Sequence, residues 1–215
     1  MHKYMGQNIA EKLGDLTGLT PEDRDVAAYG LEYLLSGAIS VALTLLAGFI
    51  LGIIQETVAV LLCWGILRLF AGGAHCTVLW RCTVISCASI ITAGLLSKGA
   101  FVLVPVAIWV TASMTWTLLS VWLWAPNNSE RPVDNLQRSR MLRRKALTVV
   151  MIASVVLFFL AISRTENLQA LATAGATGFA AGALMLSPPG FRLIRWVDKK
   201  LECIDHTLRK GGETP

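Results

Sequence analysis

The stretch YLLSGAISVALTLLAGFILGII, residues 33–54, carries no charged side chain. As an α-helix it rises about 33 Å at 1.5 Å per residue, enough to cross a hydrocarbon core about 30 Å thick. Working outward, apolar runs recur at 57–71, 83–96, 101–125, 146–163 and 168–187. These runs are continuous, without the alternating polarity a membrane barrel requires, and lipid offers the backbone no hydrogen-bond partner. The expected fold is therefore all-α: a polytopic integral membrane protein with about six membrane helices. Composition agrees, since 54% of the 215 residues are hydrophobic and 15% charged, against roughly 25% charged in a soluble domain.

Two of the runs, 57–71 and 83–96, are short for a full crossing. They flank the polar stretch RLFAGGAH, residues 68–75, so this second and third pair is expected to be short or partly re-entrant. Irregular backbone at membrane depth is tolerated where protein or a wet cavity covers it. Ahead of the first span, Met5, Ile9, Leu13 and Leu16 form an amphipathic stripe, suited to a helix on the membrane surface or packed on the bundle. After Gly14 and Gly18, Thr20-Pro21-Glu22-Asp23 restarts a helix, with Thr20 as N-cap and Pro21 in the first turn. The N-terminal residues hold no apolar core of signal-peptide type, so no cleaved targeting segment is expected. A single membrane domain is expected over 1–215: cytoplasmic or interfacial helices (1–32), membrane helices (33–187) with a basic loop at 126–145, and a basic tail (188–215).

Charge sets the expected orientation. Of 19 Lys and Arg residues, six lie within 126–145 (Arg131, Arg138, Arg140, Arg143, Arg144, Lys145) and six follow Gly190. Both segments are expected on the cytoplasmic side of a multi-pass protein. Two spans separate them and four precede them, which brings both termini and the segment 72–82 to the same side. A net charge of +5 then reflects topology and contact with the lipid bilayer, and nucleic acid is not an expected partner. The five cysteines are odd in number and mostly lie in or beside apolar runs, unlike a disulfide framework.

Chemistry concentrates in Arg68-Leu-Phe-Ala-Gly-Gly-Ala-His75-Cys76-Thr-Val-Leu-Trp-Arg81-Cys82, because ionisable side chains at membrane depth are costly and functional by default. His75 and Cys82 form a natural acid–base and nucleophile pair. On one straight helix their Cα atoms would stand about 10.5 Å apart. The chain must bend between them, or a break at Gly72-Gly73 must swing His75 onto Cys82. A zinc site from His75, Cys76 and Cys82 finds no further ligand pair, so neither metal nor cofactor is expected. Cys76 reads as a packing residue beside His75. Spacing alone leaves an alternative open, a non-enzymatic transporter or exporter of a small peptide in which Arg68 and His75 line the pathway.

Arg68, Gly72-Gly73, His75 and Cys82 at these spacings, followed by Ala125-Pro126-Asn127-Asn128-Ser129-Glu130-Arg131-Pro132 and the basic run 138–145, resemble the accessory gene regulator B (AgrB) family of membrane peptidases. The resemblance covers nearly the whole chain. It implies a cysteine endopeptidase of the bacterial cell membrane that trims the precursor of a quorum-sensing autoinducing peptide (AgrD-like) and promotes thiolactone closure. It implies Cys82 as nucleophile and His75 as its base, with Arg68, Gly73 and Gly72 in support. Precursors in that family tend to carry acidic tails, so Arg131, Arg138, Arg140, Arg143, Arg144 and Lys145 are candidate substrate contacts. Gly175, Gly178 and Gly182 allow close helix approach, within the chain or across a homodimer.

Overall fold

The computed structural model describes residues 20–74, 76–128 and 136–211. The N-terminal stripe from Met5 to Leu16, and with it His75 and Arg131, lies outside the described residues. Helix α1 (Pro21–Ile50) opens as expected: Thr20 has extended backbone, its hydroxyl oxygen accepts from the Asp23 N–H at 3.3 Å, and Pro21 follows. The helix runs unbroken into the first apolar stretch. It ends at a turn where Gly52 takes φ +65° and the Ile53 N–H donates back to the Gly48 carbonyl. Helices α2 (Ile54–Ala71), α3 (Leu79–Leu103), α4 (Val106–Trp124), α5 (Leu136–Ala161), α6 (Glu166–Leu186) and α7 (Pro188–Gly211) follow. Two short strands intervene, β1 (Gly72–Gly73) and β2 (Asn127–Asn128). Helices α1 to α6 are long and apolar enough to cross a membrane. The chain is thus an all-α, multi-pass membrane protein. Leu46, Phe49, Leu96, Ile108, Leu119, Trp122, Val155 and Phe159 are exposed on the helix exteriors, where lipid would cover them.

The short third segment needs correction. Helix α3 has 25 residues because Leu79 to Cys82, outside the expected run 83–96, already form its first turn. At its far end Lys98 lies within the helix, and the break comes at Pro105, which forces Val104 into extended backbone (φ −129°, ψ 138°). Helix α2 has 18 residues, about 27 Å at 1.5 Å per residue. Between these two helices the described residues 72–74 and 76–78 are not helical.

Helix α6 is the hub, packing against α2, α3, α4 and α5. Its small residues make this possible. A Cβ built on Gly178 would stand 2.7 Å from the Val60 carbonyl oxygen, and one on Gly182 would stand 2.8 Å from Trp64. The glycine stripe therefore lets α2 and α6 approach backbone to backbone within the chain. That contact fixes the end of α2, which carries Arg68, against the end of α6.

Candidate active site at one end of the bundle

The site begins where α2 ends. Gly72 has φ 78° and ψ −143°, and Gly73 has φ 143°; both lie in backbone regions that side chains disfavour. These two residues leave the helix extended and pair in parallel with β2, Gly72 opposite Asn127 and Gly73 opposite Asn128. Two motifs more than fifty residues apart in sequence are thereby joined. Arg68, in the last turn of α2, donates from Nη2 to the Ala74 carbonyl at 2.6 Å and lies over the Trp64 ring at 5.6 Å. The Ala74 N–H donates in turn to the Met185 carbonyl of α6 at 3.2 Å. The loop after the double glycine is thus fixed from three sides: by β2, by Arg68 and by α6.

Cys82 sits in the first turn of α3, its N–H donating to the Val78 carbonyl at 3.2 Å. Its side chain, half-buried, lines a cavity of about 10 Å³ together with Arg68, Trp64, Cys76, Met185 and Ile194. That is space for roughly one water. Residues 76–78 are not helical, so the required bend lies between His75 and Cys82 as well as at Gly72-Gly73. Cys76 is buried and packs here as expected. It also does more, because its thiol is hydrogen-bonded to Cys82. That bond first, then burial, pushes the Cys76 pKa well above its ordinary value.

A third feature was missed by sequence reading. Asp198 of α7 accepts from the Thr77 N–H (3.1 Å) and the Thr77 hydroxyl (2.9 Å), and pairs with Arg81 Nη1 at 3.4 Å. Arg81 and Asp198 are 4% and 7% exposed, so the pair is withdrawn from solvent. Burial alone would raise the Asp198 pKa; the Thr77 and Arg81 donors outweigh it and hold the carboxyl below its ordinary range. A depressed pKa stabilises the fold at pH values above the ordinary carboxylate value, and that contribution is lost as pH falls through the depressed one. The available signal was periodic: Phe191, Ile194 and Asp198 fall at spacings of three and four, an acid on the apolar face of an amphipathic helix.

The basic residues divide. Arg138, Arg140, Arg144 and Lys145 line an open groove of about 1010 Å³ with Phe70 of α2 and Met141, Thr148 and Val149 of α5. Arg143 does not line it. No cluster of His, Cys, Asp or Glu able to hold a metal is found among the described residues.

The family model for accessory gene regulator B matches residues 6–186. The chain belongs to this family. Relatives named for their likeness to AgrB include one from Listeria innocua serovar 6a, 27% identical over 142 residues, covering 65% of this chain and 68% of the relative. Another, from Listeria monocytogenes serotype 4a, is 28% identical with the same coverage. No solved structure matches the chain. Within this AgrB-family chain, Arg68, Gly72, Gly73 and Cys82 converge on one end of the bundle, beside an Asn pair from the second quoted motif. The match stops at 186, so α7 and its Asp198 lie beyond it.

Proposed function

We propose that this protein is a membrane cysteine endopeptidase that cleaves an autoinducing-peptide precursor through a thioester on Cys82 and promotes its cyclisation. The observation that carries the reading is the convergence of Cys82 and Arg68 on one cavity, at a helix break built from two positive-φ glycines, in a chain of the AgrB family. His75 takes the thiol proton as Cys82 Sγ attacks the scissile carbonyl. The C–N bond then breaks, the leaving amine takes the proton from His75, and the peptide remains as a thioester. A cysteine thiol within the peptide attacks that thioester, releasing Cys82 and closing a thiolactone. One thioester replaces another, so no energy-rich co-reactant is required.

Cys82, in the first turn of α3 and beside Arg68 on the cavity wall, is assigned as the attacking thiol, whose thiolate is the nucleophile. Arg68 closes the wall of the site and fixes the loop through Ala74. The groove lined by Arg138, Arg140, Arg144 and Lys145 suits an acidic precursor tail, held at the same end as the thiol. We assign this end to the cytoplasm. Arg192, Arg195, Lys199 and Lys200 of α7 lie there too, whereas the opposite end carries Lys98 and Arg164. A cysteine reporter at Glu166 should react with an impermeant reagent added outside the cell; protection would overturn the orientation. The activity is tested by co-expression with short candidate precursors and mass spectrometry. The expected product is truncated and lacks one water. Cleavage that persists in Cys82→Ala would end the peptidase reading and favour a peptide exporter.

A further inference from the structure

We propose that Asp198 of α7 is a positioning residue for Cys82: acting through Thr77 and Arg81, it holds the turn that leads into α3, so that the C-terminal helix completes the thiol site. The inference rests on the reading of Cys82 as nucleophile, but not on anything the family match supplies, because α7 begins where that match ends.

Two independent observations carry it. The first is the placement of the contacts. Asp198 binds Thr77 by both its N–H and its hydroxyl, and Arg81 by a guanidinium nitrogen. Thr77 lies two residues after His75, and Arg81 adjoins Cys82. Arg81 Nη1 also lies 3.5 Å from the Thr77 hydroxyl, and the Cys82 N–H closes on Val78. Residues 77–82 are thus tied into one piece, and the tie runs to a helix about 120 residues away. The second observation is the wall. Ile194, one turn before Asp198 on the same face, lines the cavity that holds Cys82 and Arg68. Phe191 packs against the same cluster.

Anchoring a surface helix needs no buried ion pair. Phe191 and Ile194 already supply apolar contact, and replacing a buried pair by apolar groups is often neutral or stabilising. What the carboxylate adds is direction, since its two oxygens fix Thr77 and Arg81 separately. Arg81 also neutralises it, so the turn is oriented without a net negative charge beside the thiol.

The test uses the full-length chain in membranes and iodoacetamide as the probe, with labelling of Cys82 followed by mass spectrometry. Asp198→Ala should slow Cys82 labelling about tenfold, as expected for a misplaced reacting group. Thr77→Val should slow it less, and Asp198→Glu should recover part of the rate. With a cleaved precursor, Asp198→Ala should lower kcat and leave KM near wild type. Trp196→Ala, on the exposed face of the same helix, should label like wild type. Should Asp198→Ala fail to reach the membrane, Asp198→Asn, which keeps an acceptor oxygen, takes its place with slower labelling again expected. Wild-type labelling in the Asp198 variant, a Glu variant no better than Ala, or equal slowing by Trp196→Ala would overturn the proposal. A wild-type chain that cleaves no precursor, yet labels more slowly on Asp198→Ala, would sink the peptidase reading and leave the positioning role standing.

Discussion

The two ends of the helix bundle are built differently. At the end away from the thiol, α1 joins α2 through Leu51 to Ile53, α3 joins α4 through Val104 and Pro105, and α5 joins α6 through Ile162 to Thr165. The turns into α2 and α4 close on hydrogen bonds among near neighbours, such as Ile53 to Gly48 and Trp109 to Pro105. They reverse the chain and do little else. At the thiol end the segment 72–78 is held by β2, α6 and α7, all distant in sequence. A turn that only reverses direction needs local chemistry; a site must fix several side chains relative to one another, and that requires partners from elsewhere in the fold. Variants at the thiol end should therefore affect reaction rate, and matched variants at the other end should affect stability alone.

The largest difference is expected at the nucleophile. Cys82→Ala should lower precursor cleavage by about a thousandfold or more while the protein remains in the membrane. Cys76→Ala, Cys87→Ala and Cys203→Ala should each retain turnover. His75→Ala should fail at the same step, because the leaving amine loses its proton donor. Mass spectrometry of a hydroxylamine-sensitive adduct should map it to Cys82. An adduct on Cys76 would move the nucleophile by six residues and overturn the assignment of Cys82.

Next in size is the double glycine. The atoms nearest a methyl group at Gly73 belong to Arg68, at 3.5 Å and beyond, so space is not the obstacle. Its φ of 143° is, and such backbone costs about 1–3 kcal/mol with a side chain. Gly73→Ala should resolve that strain by leaving the pairing with Asn128, displacing the loop and lowering turnover about tenfold to a hundredfold. Gly65→Ala, in the interior of α2 with nothing within 4 Å, should keep full turnover. Equal tolerance at both positions would remove the case for a special backbone.

Arg68→Lys should have a smaller but clear effect, about tenfold in turnover. The guanidinium both donates to Ala74 and lies over the Trp64 ring, and a single ammonium cannot do both from one position. Turnover near wild type would reduce Arg68 to a generic positive charge.

How much of this was legible follows from the range of the interactions. Thr20, Pro21 and the apolar runs act within a turn or a span, and they gave the start of α1 and the six helices directly. Arg68 and Cys82 were legible because charge and thiol are rare in an apolar stretch. The extent of α3 was not, because the charge of Arg81 interrupts the apolar pattern until Asp198 is seen to neutralise it. The pairing of Gly72-Gly73 with Asn127-Asn128 was equally hidden. Each motif shows only that its backbone is unusual, and the partner depends on how α2 and α4 pack around α6.

The smallest effect is expected at Gly52, the counterpart of Gly73 at the opposite end. It also has positive φ, 65°, and a Cβ there would meet nothing within 4 Å. This is the left-handed helical region, where an ordinary side chain costs about 1–2 kcal/mol and Asn, able to bond locally, costs less. Gly52→Ala should therefore lower the thermal midpoint of the detergent-solubilised protein modestly, and Gly52→Asn should recover part of it. Neither should change turnover. The Gly52 carbonyl accepts from the exposed Lys98 Nζ at 3.5 Å, and Ile53 and Thr57 pack against Gly94 away from the residues that line the cavity of Cys82. A loss of turnover in Gly52→Ala comparable to that in Gly73→Ala, at equal amounts of protein in the membrane, would mean that strain passes along α2 from one end to the other. The division of labour between the two ends would then be false.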